Sequence, residues 1–316
     1  AAAAARGGGT TLRASLRIPV LGSRHASSVL KASSLRVWDQ SATLSKDRTL
    51  CSPAPGSSLV VHREKEAMAA VQFSSPPVNA LSLELCRELT SVIAELDADP
   101  AIDGILLGSA VPGIFSAGLD LRAFHGASED DLAEYWTAVQ EMWLTLYTTR
   151  LATVAAVNGH APAGGCMLAL SCDERVMVDS AKYRIGLSET QVGIVAPPWL
   201  ASLLVDVTGV RRAYRMLLLG ELVDPQEALA RGIVDEVAPL YQLYGAAERR
   251  LSTLLQVPSQ ARSATKQQFR RASADALRDR QSEDLDEFVN MVSRSDVQAF
   301  LGKYLESLKK KHDNSE

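Results

Sequence analysis

Cysteine is scarce: Cys51, Cys86, Cys166 and Cys172 are the only four in 316 residues, and no two form a CxxC pair. No cluster of His, Asp or Glu supplies the ligands a metal site would still need, so no metal is expected. Reduced, partly buried thiols in a reducing interior are the reading that remains. Apolar runs are short as well. None approaches the roughly eighteen residues that mark a membrane-spanning helix, so no stable membrane insertion is expected. The nucleotide-cradling patterns GxGxxG and the P-loop are both missing.

Acids are missing from one region in particular. Residues 1–58 carry eight bases against two acids, Asp39 and Asp47, and so hold a charge of +6 within a chain of net charge −4. The remainder therefore carries −10. An acidic body is a poor match for nucleic acid, whose phosphate backbone calls for a broad basic surface. The Ala-, Ser- and Arg-rich start is what a mitochondrial transit peptide needs, a cationic segment able to form an amphipathic helix. We read residues 1–57 as such a peptide with a flexible linker, and expect no secretion signal. The length suits one large domain with an appendage, and 47% hydrophobic residues can supply its core.

Regular patterning begins at Leu59. Leu59–Val61 and Ala67–Phe73 read as two antiparallel strands around polar His62–Glu66. Ser82 is placed to cap a helix carrying Leu85, Leu89, Val92, Ile93 and Leu96 at helical spacing, which Pro100 ends. Ile105–Leu107 follows as a buried strand. Trp136–Tyr147 reads as helix, Thr153–Val157 as strand, Gly165–Leu170 as helix and Arg175–Val178 as strand. Such alternation predicts an α/β architecture over 58–257. Beyond Val257 the strand signal fades, and 258–316 reads as a helical region with apolar positions at Leu285, Phe288, Val289, Met291 and Val292.

Three stretches stand out: Gly113-Ile-Phe-Ser-Ala-Gly-Leu-Asp-Leu121, Asn158-Gly-His-Ala-Pro-Ala-Gly-Gly-Cys166 and Gly186-Leu-Ser-Glu-Thr-Gln-Val-Gly193. The first two are glycine-containing turns after strands, each leading towards a helix. They could be tight turns and nothing more. They could also let a ligand approach the backbone, and two facing turns could hold one oxygen of growing negative charge.

In this order and spacing the three stretches resemble the crotonase (enoyl-CoA hydratase/isomerase) superfamily, and within it the mitochondrial delta3,delta2-enoyl-CoA isomerase branch. The resemblance runs from about Leu59 to the C-terminus, roughly four-fifths of the chain. It implies a spiral of ββα units with a C-terminal helical region that builds trimers. It also implies an oxyanion hole from the N–H groups of Leu119 and Gly164, and an acyl-CoA site lined by Ala117, Gly118, Leu119, Asp120 and Leu121. Ser188, also expected at the substrate, stands where this branch carries asparagine. The family places catalytic carboxylates at two positions. One is Met167 here, so that acid is absent; the other is Glu189.

One carboxylate suits moving a double bond, since a single base can take a proton from one carbon and return it two carbons along. Adding water benefits from two. The resemblance therefore implies conversion of 3-enoyl-CoA to trans-2-enoyl-CoA in β-oxidation in the mitochondrial matrix. It implies no cofactor beyond the coenzyme A carried by the substrate. A hydratase is the nearest rival, and a non-catalytic acyl-CoA-binding protein is another. Ile194, Val195, Pro197, Pro198 and Trp199 are expected to form an apolar wall around Glu189. Asp120 is expected to fix its turn, and Asp173 to be a structural partner of backbone or Arg175. Lys266 and Lys303 are the lysines that could reach a CoA phosphate.

Overall fold

The computed structural model describes residues 57–65 and 67–313. The expected transit peptide and linker, and Cys51 with them, lie outside the described residues, Ser57 apart.

The chain opens with an antiparallel pair, β1 (Leu59–Lys65) and β2 (Ala67–Phe73), in the register Leu59↔Phe73 to Lys65↔Met68. Strand β1 continues through the polar His62–Lys65, which the sequence suggested as a connection. As the edge of its sheet it tolerates polar residues; Arg63 reaches out to Asp99 at 3.0 Å. Short β3 (Ala80–Leu81) leads to helix α1 (Leu83–Ala98), whose first turn is capped by Ser82 accepting the Leu85 N–H at 3.2 Å. Leu85, Leu89, Ile93 and Leu96 form its buried stripe, as their spacing predicted.

The same unit then repeats, a long strand, a short strand and a helix. It appears as β4 (Ile102–Ser109) with β5 (Gly113–Ile114), β6 (Gly118–Leu119) and α2 (Glu129–Thr148), then as β7 (Ala152–Val157), β8 (Gly159–Pro162) and α3 (Gly164–Ser171). A further turn holds β9 (Glu174–Val178), β10 (Ile185–Gly186) and α4 (Pro198–Thr208). Helices α5 (Val210–Leu219) and α6 (Pro225–Arg231), strand β11 (Glu236–Ala238) and helix α7 (Leu243–Leu255) complete the core. The long strands form one six-stranded sheet in the order β1-β2-β4-β7-β9-β11, parallel from β2 onwards. The short strands stack separately as β10-β8-β5 and β3-β6. All residues of β7 are buried, as expected for a parallel strand covered on both faces. Every residue of α3 is buried too, so this helix is enclosed by the spiral.

Three helices follow: α8 (Ser259–Asp279), α9 (Gln281–Ser293) and α10 (Ser295–Asp313). Helix α8 is fastened to the core by charge. Lys266 Nζ donates to the Leu151 carbonyl at 2.7 Å and pairs with Asp173 at 3.0 Å, and Arg270 pairs with the same carboxylate at 2.8 Å. Thr153 N–H donates to Asp173 as well. Two expectations change here. Lys266 is buried in this cluster and cannot serve a CoA phosphate. Asp173 is structural, as expected, but its cations are Lys266 and Arg270, while Arg175 pairs with Asp235 at 2.8 Å. Burial pushes the Asp173 carboxyl up, and the two cations more than offset this and hold it below its ordinary value. Removing the carboxylate would strand both cations. Asp173→Ala is expected to lower stability by about 3–5 kcal/mol in denaturant unfolding, and Lys266→Met by much less, because Arg270 still satisfies the carboxylate. Equal losses in the two variants would contradict this reading of the cluster.

Candidate active site

Two loops meet backbone to backbone at the heart of the spiral. In the first, Ser116 Oγ donates to the Asn79 carbonyl at 2.7 Å and accepts the Gly118 N–H at 3.1 Å, which fixes the chain just before Leu119. Asn79 is itself anchored to Ser109 Oγ at 2.8 Å and the Phe115 carbonyl at 3.0 Å. The second loop is the turn from β8 into α3. Gly165 lets the loops close, because a Cβ there would stand 2.3 Å from the Ser116 carbonyl oxygen. Gly118, at φ +89, is constrained equally: a Cβ would come within 2.9 Å of the Gly164 nitrogen.

The Leu119 and Gly164 backbones thus lie side by side, as the motifs implied. Gly164 opens α3, where the first N–H groups have no acceptor within the helix. The first helical bond runs from Met167 N–H to the Ala163 carbonyl at 3.0 Å. Ala163 precedes Gly164 at φ 49, ψ −121, a conformation that non-glycine residues rarely adopt and that costs on the order of 1–3 kcal/mol. Strain of this kind sets the direction of the following N–H.

Opposite lies Glu189, at the start of the short 3-10 turn Glu189–Val192 that follows β10. Leu119, Gly164, Met167 and Glu189 all line one apolar slot of about 20 Å³. Ile194, Val195, Pro197 and Trp199 form the expected wall; Pro198 does not take part. Glu189 is 6% exposed, and its Oε2 has no hydrogen-bond partner among the described residues. Burial raises its carboxyl from an ordinary value near 4.5 to about 7, with its own backbone N–H opposing only part of the effect. Such a group ionises near neutrality and is poised to take and return a proton.

The far wall comes from elements whose part in the site was not legible in the sequence. Trp136 and Val139 of α2 and Phe288 and Met291 of α9 complete the slot. Trp136 stacks on Phe288 with ring centres 3.9 Å apart and planes at 5°. Behind them, the buried Asp284 of α9 accepts Trp136 Nε1–H at 2.8 Å, Gln140 Nε2–H at 2.7 Å and Trp199 Nε1–H at 3.1 Å. One carboxylate thereby fixes two indoles of the wall.

Leu119 also borders a larger open groove of about 710 Å³, together with Ala117, Asp120 and Leu121. Gly118 and Ser188 line neither space; Gly118 supports from behind, and the Ser188 carbonyl accepts the Gln191 N–H at 3.0 Å. Asp120 does cap its turn, accepting the Arg122 N–H at 3.1 Å. Arg122 and His125 border the groove, whereas Lys303 is exposed and does not. The groove's outer side is α10, through Gly302, Tyr304 and Leu305. Burial pushes the Cys86 and Cys172 thiols up to about 12 and Cys166 higher still, so none is a nucleophile near neutrality. Among the described residues no group of three or more His, Cys, Asp and Glu could hold a metal ion, and no helix is long and apolar enough to cross a membrane.

The sequence profile of the enoyl-CoA hydratase/isomerase family matches residues 63–315. Over 254 residues the chain is 45% identical to "Enoyl-CoA delta isomerase 1, mitochondrial" of Rattus norvegicus, covering 80% of this chain and 88% of that protein. The corresponding protein of Homo sapiens is 45% identical over 242 residues, or 77% of this chain and 80% of its own length. The crystal structure of human mitochondrial delta3-delta2-enoyl-CoA isomerase superposes with a TM-score of 0.79 at 43% identity, covering 80% of this chain and 99% of that one. The ββα spiral, the paired loops and these similarities agree: the chain belongs to the enoyl-CoA hydratase/isomerase family.

Proposed function

We propose that this protein is an enoyl-CoA delta isomerase, converting cis- or trans-3-enoyl-CoA to trans-2-enoyl-CoA. The observation that carries the reading is a lone carboxylate, Glu189, in an apolar slot with Met167 where a second acid would be needed for hydration. The similarity to delta isomerases over four-fifths of the chain supports it.

The thioester oxygen is held by the N–H groups of Leu119 and Gly164. Glu189 removes a proton from C2, and the electron pair moves onto that oxygen to give a dienolate. The two donors offset the growing charge; one such donor is typically worth about 2.7–4 kcal/mol to the barrier. The carboxylic acid then returns the proton to C4, the oxygen's electron pair reforms the carbonyl, and the double bond settles between C2 and C3. Met167 offers no group to activate water, and the apolar walls keep water from the dienolate. The chemistry is acid–base throughout and calls for no metal or redox cofactor. Coenzyme A arrives with the substrate and occupies the open groove.

The same reading places the enzyme in the β-oxidation of unsaturated fatty acids in the mitochondrial matrix, with residues 1–57 serving import. Its relatives are named mitochondrial. It works as a homotrimer built through the C-terminal helical region.

Glu189→Gln is expected to leave less than a tenth of wild-type turnover while acyl-CoA binding persists. A larger residue of activity would put the loss below about 1.36 kcal/mol of barrier, too little for the sole base. In the wild type, kcat/KM should rise about tenfold per pH unit on the acid side and level off above about 7, since only ionised Glu189 accepts a proton.

The same carboxyl governs stability. Its folded pKa of about 7 exceeds the ordinary 4.5, so the folded state keeps a proton that the unfolded chain releases within that window. Its contribution to stability is therefore fully present at low pH and is lost as pH rises from 4.5 to 7. Glu189→Gln has no such proton to lose. Its unfolding free energy relative to wild type is expected to grow by about 2–3 kcal/mol between pH 5 and pH 8. A difference that stays flat with pH would mean that the carboxyl is not buried as described.

A further inference from the structure

The two donors that face the thioester oxygen are held in different ways. Gly164 starts a helix that is buried along its whole length, and the strained Ala163 sets the backbone before it. Leu119 sits on a weaker element. It ends β6, a strand of 2 residues whose partner β3 is also 2 residues long, in the parallel register Ala80↔Gly118 and Leu81↔Leu119. A ladder this short cannot by itself hold one N–H to a fraction of an ångström, which is what a catalytic donor needs.

Two buried hydroxyls bridge the same pair of segments. Ser116 Oγ donates to the Asn79 carbonyl and accepts the Gly118 N–H. Two residues further along both segments, Tyr135 Oη donates to the Leu81 carbonyl and accepts the Asp120 N–H at 3.1 Å. Asp120 N–H also points at the Leu81 carbonyl, but at 3.4 Å, so the hydroxyl is its nearer acceptor. The carbonyls of residues 79 and 81 and the N–H groups of 118 and 120 are thus taken in matched pairs. The Leu119 nitrogen lies between the two pinned groups and faces Gly164, 3.3 Å from where a Cβ there would stand.

Tyr135 comes from α2 and is held firmly. Its ring is 2% exposed and packs edge-on against Phe124, with ring centres 5.0 Å apart and planes at 89°. Phe124 packs in the same manner on Phe288 of the slot wall, at 5.4 Å. Tyr135 itself borders neither the slot nor the groove, so any effect on the reaction passes through the backbone it binds. Burial pushes its phenol well above the ordinary value, and it remains a donor at neutral pH.

We propose that Tyr135 is a positioning residue, whose hydroxyl clamps the 118–120 segment together with Ser116 and so fixes the direction of the Leu119 N–H towards the thioester oxygen. The proposal rests on the isomerase reading and adds a residue to it. Losing such a donor outright typically costs about 10²–10³ in kcat, and Tyr135→Phe misdirects the donor without removing it. The expected loss is about tenfold to a hundredfold in kcat, with KM unchanged within about twofold, because a misdirected donor fails the dienolate more than the ground-state carbonyl.

Tyr135→Phe keeps the ring and its edge contacts and removes one oxygen. A second readout needs no turnover: a conjugated dienoyl-CoA absorbs at longer wavelength when its carbonyl oxygen accepts hydrogen bonds. The wild type is expected to shift the bound probe to longer wavelength, and the variant at saturation to lose most of that shift. A variant that melts earlier but keeps the wild-type kcat and the full shift would show the hydroxyl to be structural and overturn the proposal. So would a loss confined to KM. A wild type that shifts the probe but turns over no 3-enoyl-CoA would instead defeat the isomerase reading, and the shift in the variant would still decide the clamp. Should the variant not fold, hydrogen exchange on the wild type decides. The Asp120 amide is expected to exchange as slowly as core amides, and rapid exchange there would overturn the clamp.

Discussion

A carboxylate without a counter-charge in an apolar enclosure is the constraint on which the site depends. Water would stabilise the Glu189 anion; the slot does not, and the proton is held until about pH 7. The molecule contains its own comparison. Asp173 is also largely enclosed, yet Lys266 and Arg270 at 3.0 and 2.8 Å hold its proton affinity below the ordinary value. The same type of group becomes a structural anchor in one place and a poised base in the other, and the difference is two cations. Keeping cations away from Glu189 is as much a part of the site as placing the carboxylate there.

That enclosure is assembled from distant parts of the chain. The paired loops need Gly118 and Gly165 to bring their backbones within reach, and the strained Ala163 aims the start of α3. The roof is supplied by α9, whose Phe288 and Met291 close the slot and whose Asp284 fixes the two indoles beside them. Removing α9 would admit water to Glu189 and return its carboxyl towards an ordinary value. The C-terminal helices therefore enclose Glu189 as well as completing the fold. Helix α10 has a corresponding place on the groove, through Gly302, Tyr304 and Leu305.

Much of this was legible in the sequence because it is local. The stripe of α1, its Ser82 cap, the buried β7 and the three motifs all lie within short stretches where spacing carries the signal. Glu189, Leu119, Gly164 and Met167 were marked by those motifs, and the structure brings them to one slot. What was not legible is long-range. Trp136 and Asp284 are 148 residues apart, and Lys266 and Asp173 are 93 apart, with no periodicity linking either pair. Lys266 looks like an ordinary solvated lysine on a polar helix until α8 packs on α2 and α4 and brings it to Leu151 and Asp173. Phe288 and Met291 read as packing positions, which they are; that they also line the slot around Glu189 emerges only from the fold.

The central claim is that one enclosed base, Glu189, carries the proton from C2 to C4. The most direct test supplies the purified protein with 3-enoyl-CoA deuterated at C2 in ordinary water and follows the label by NMR. The account predicts that a substantial part of the product carries deuterium at C4, because the proton rests on a carboxyl shielded from solvent between its two transfers. Product with only solvent hydrogen at C4 would contradict it, since the proton would then have reached water or a second group before it was returned.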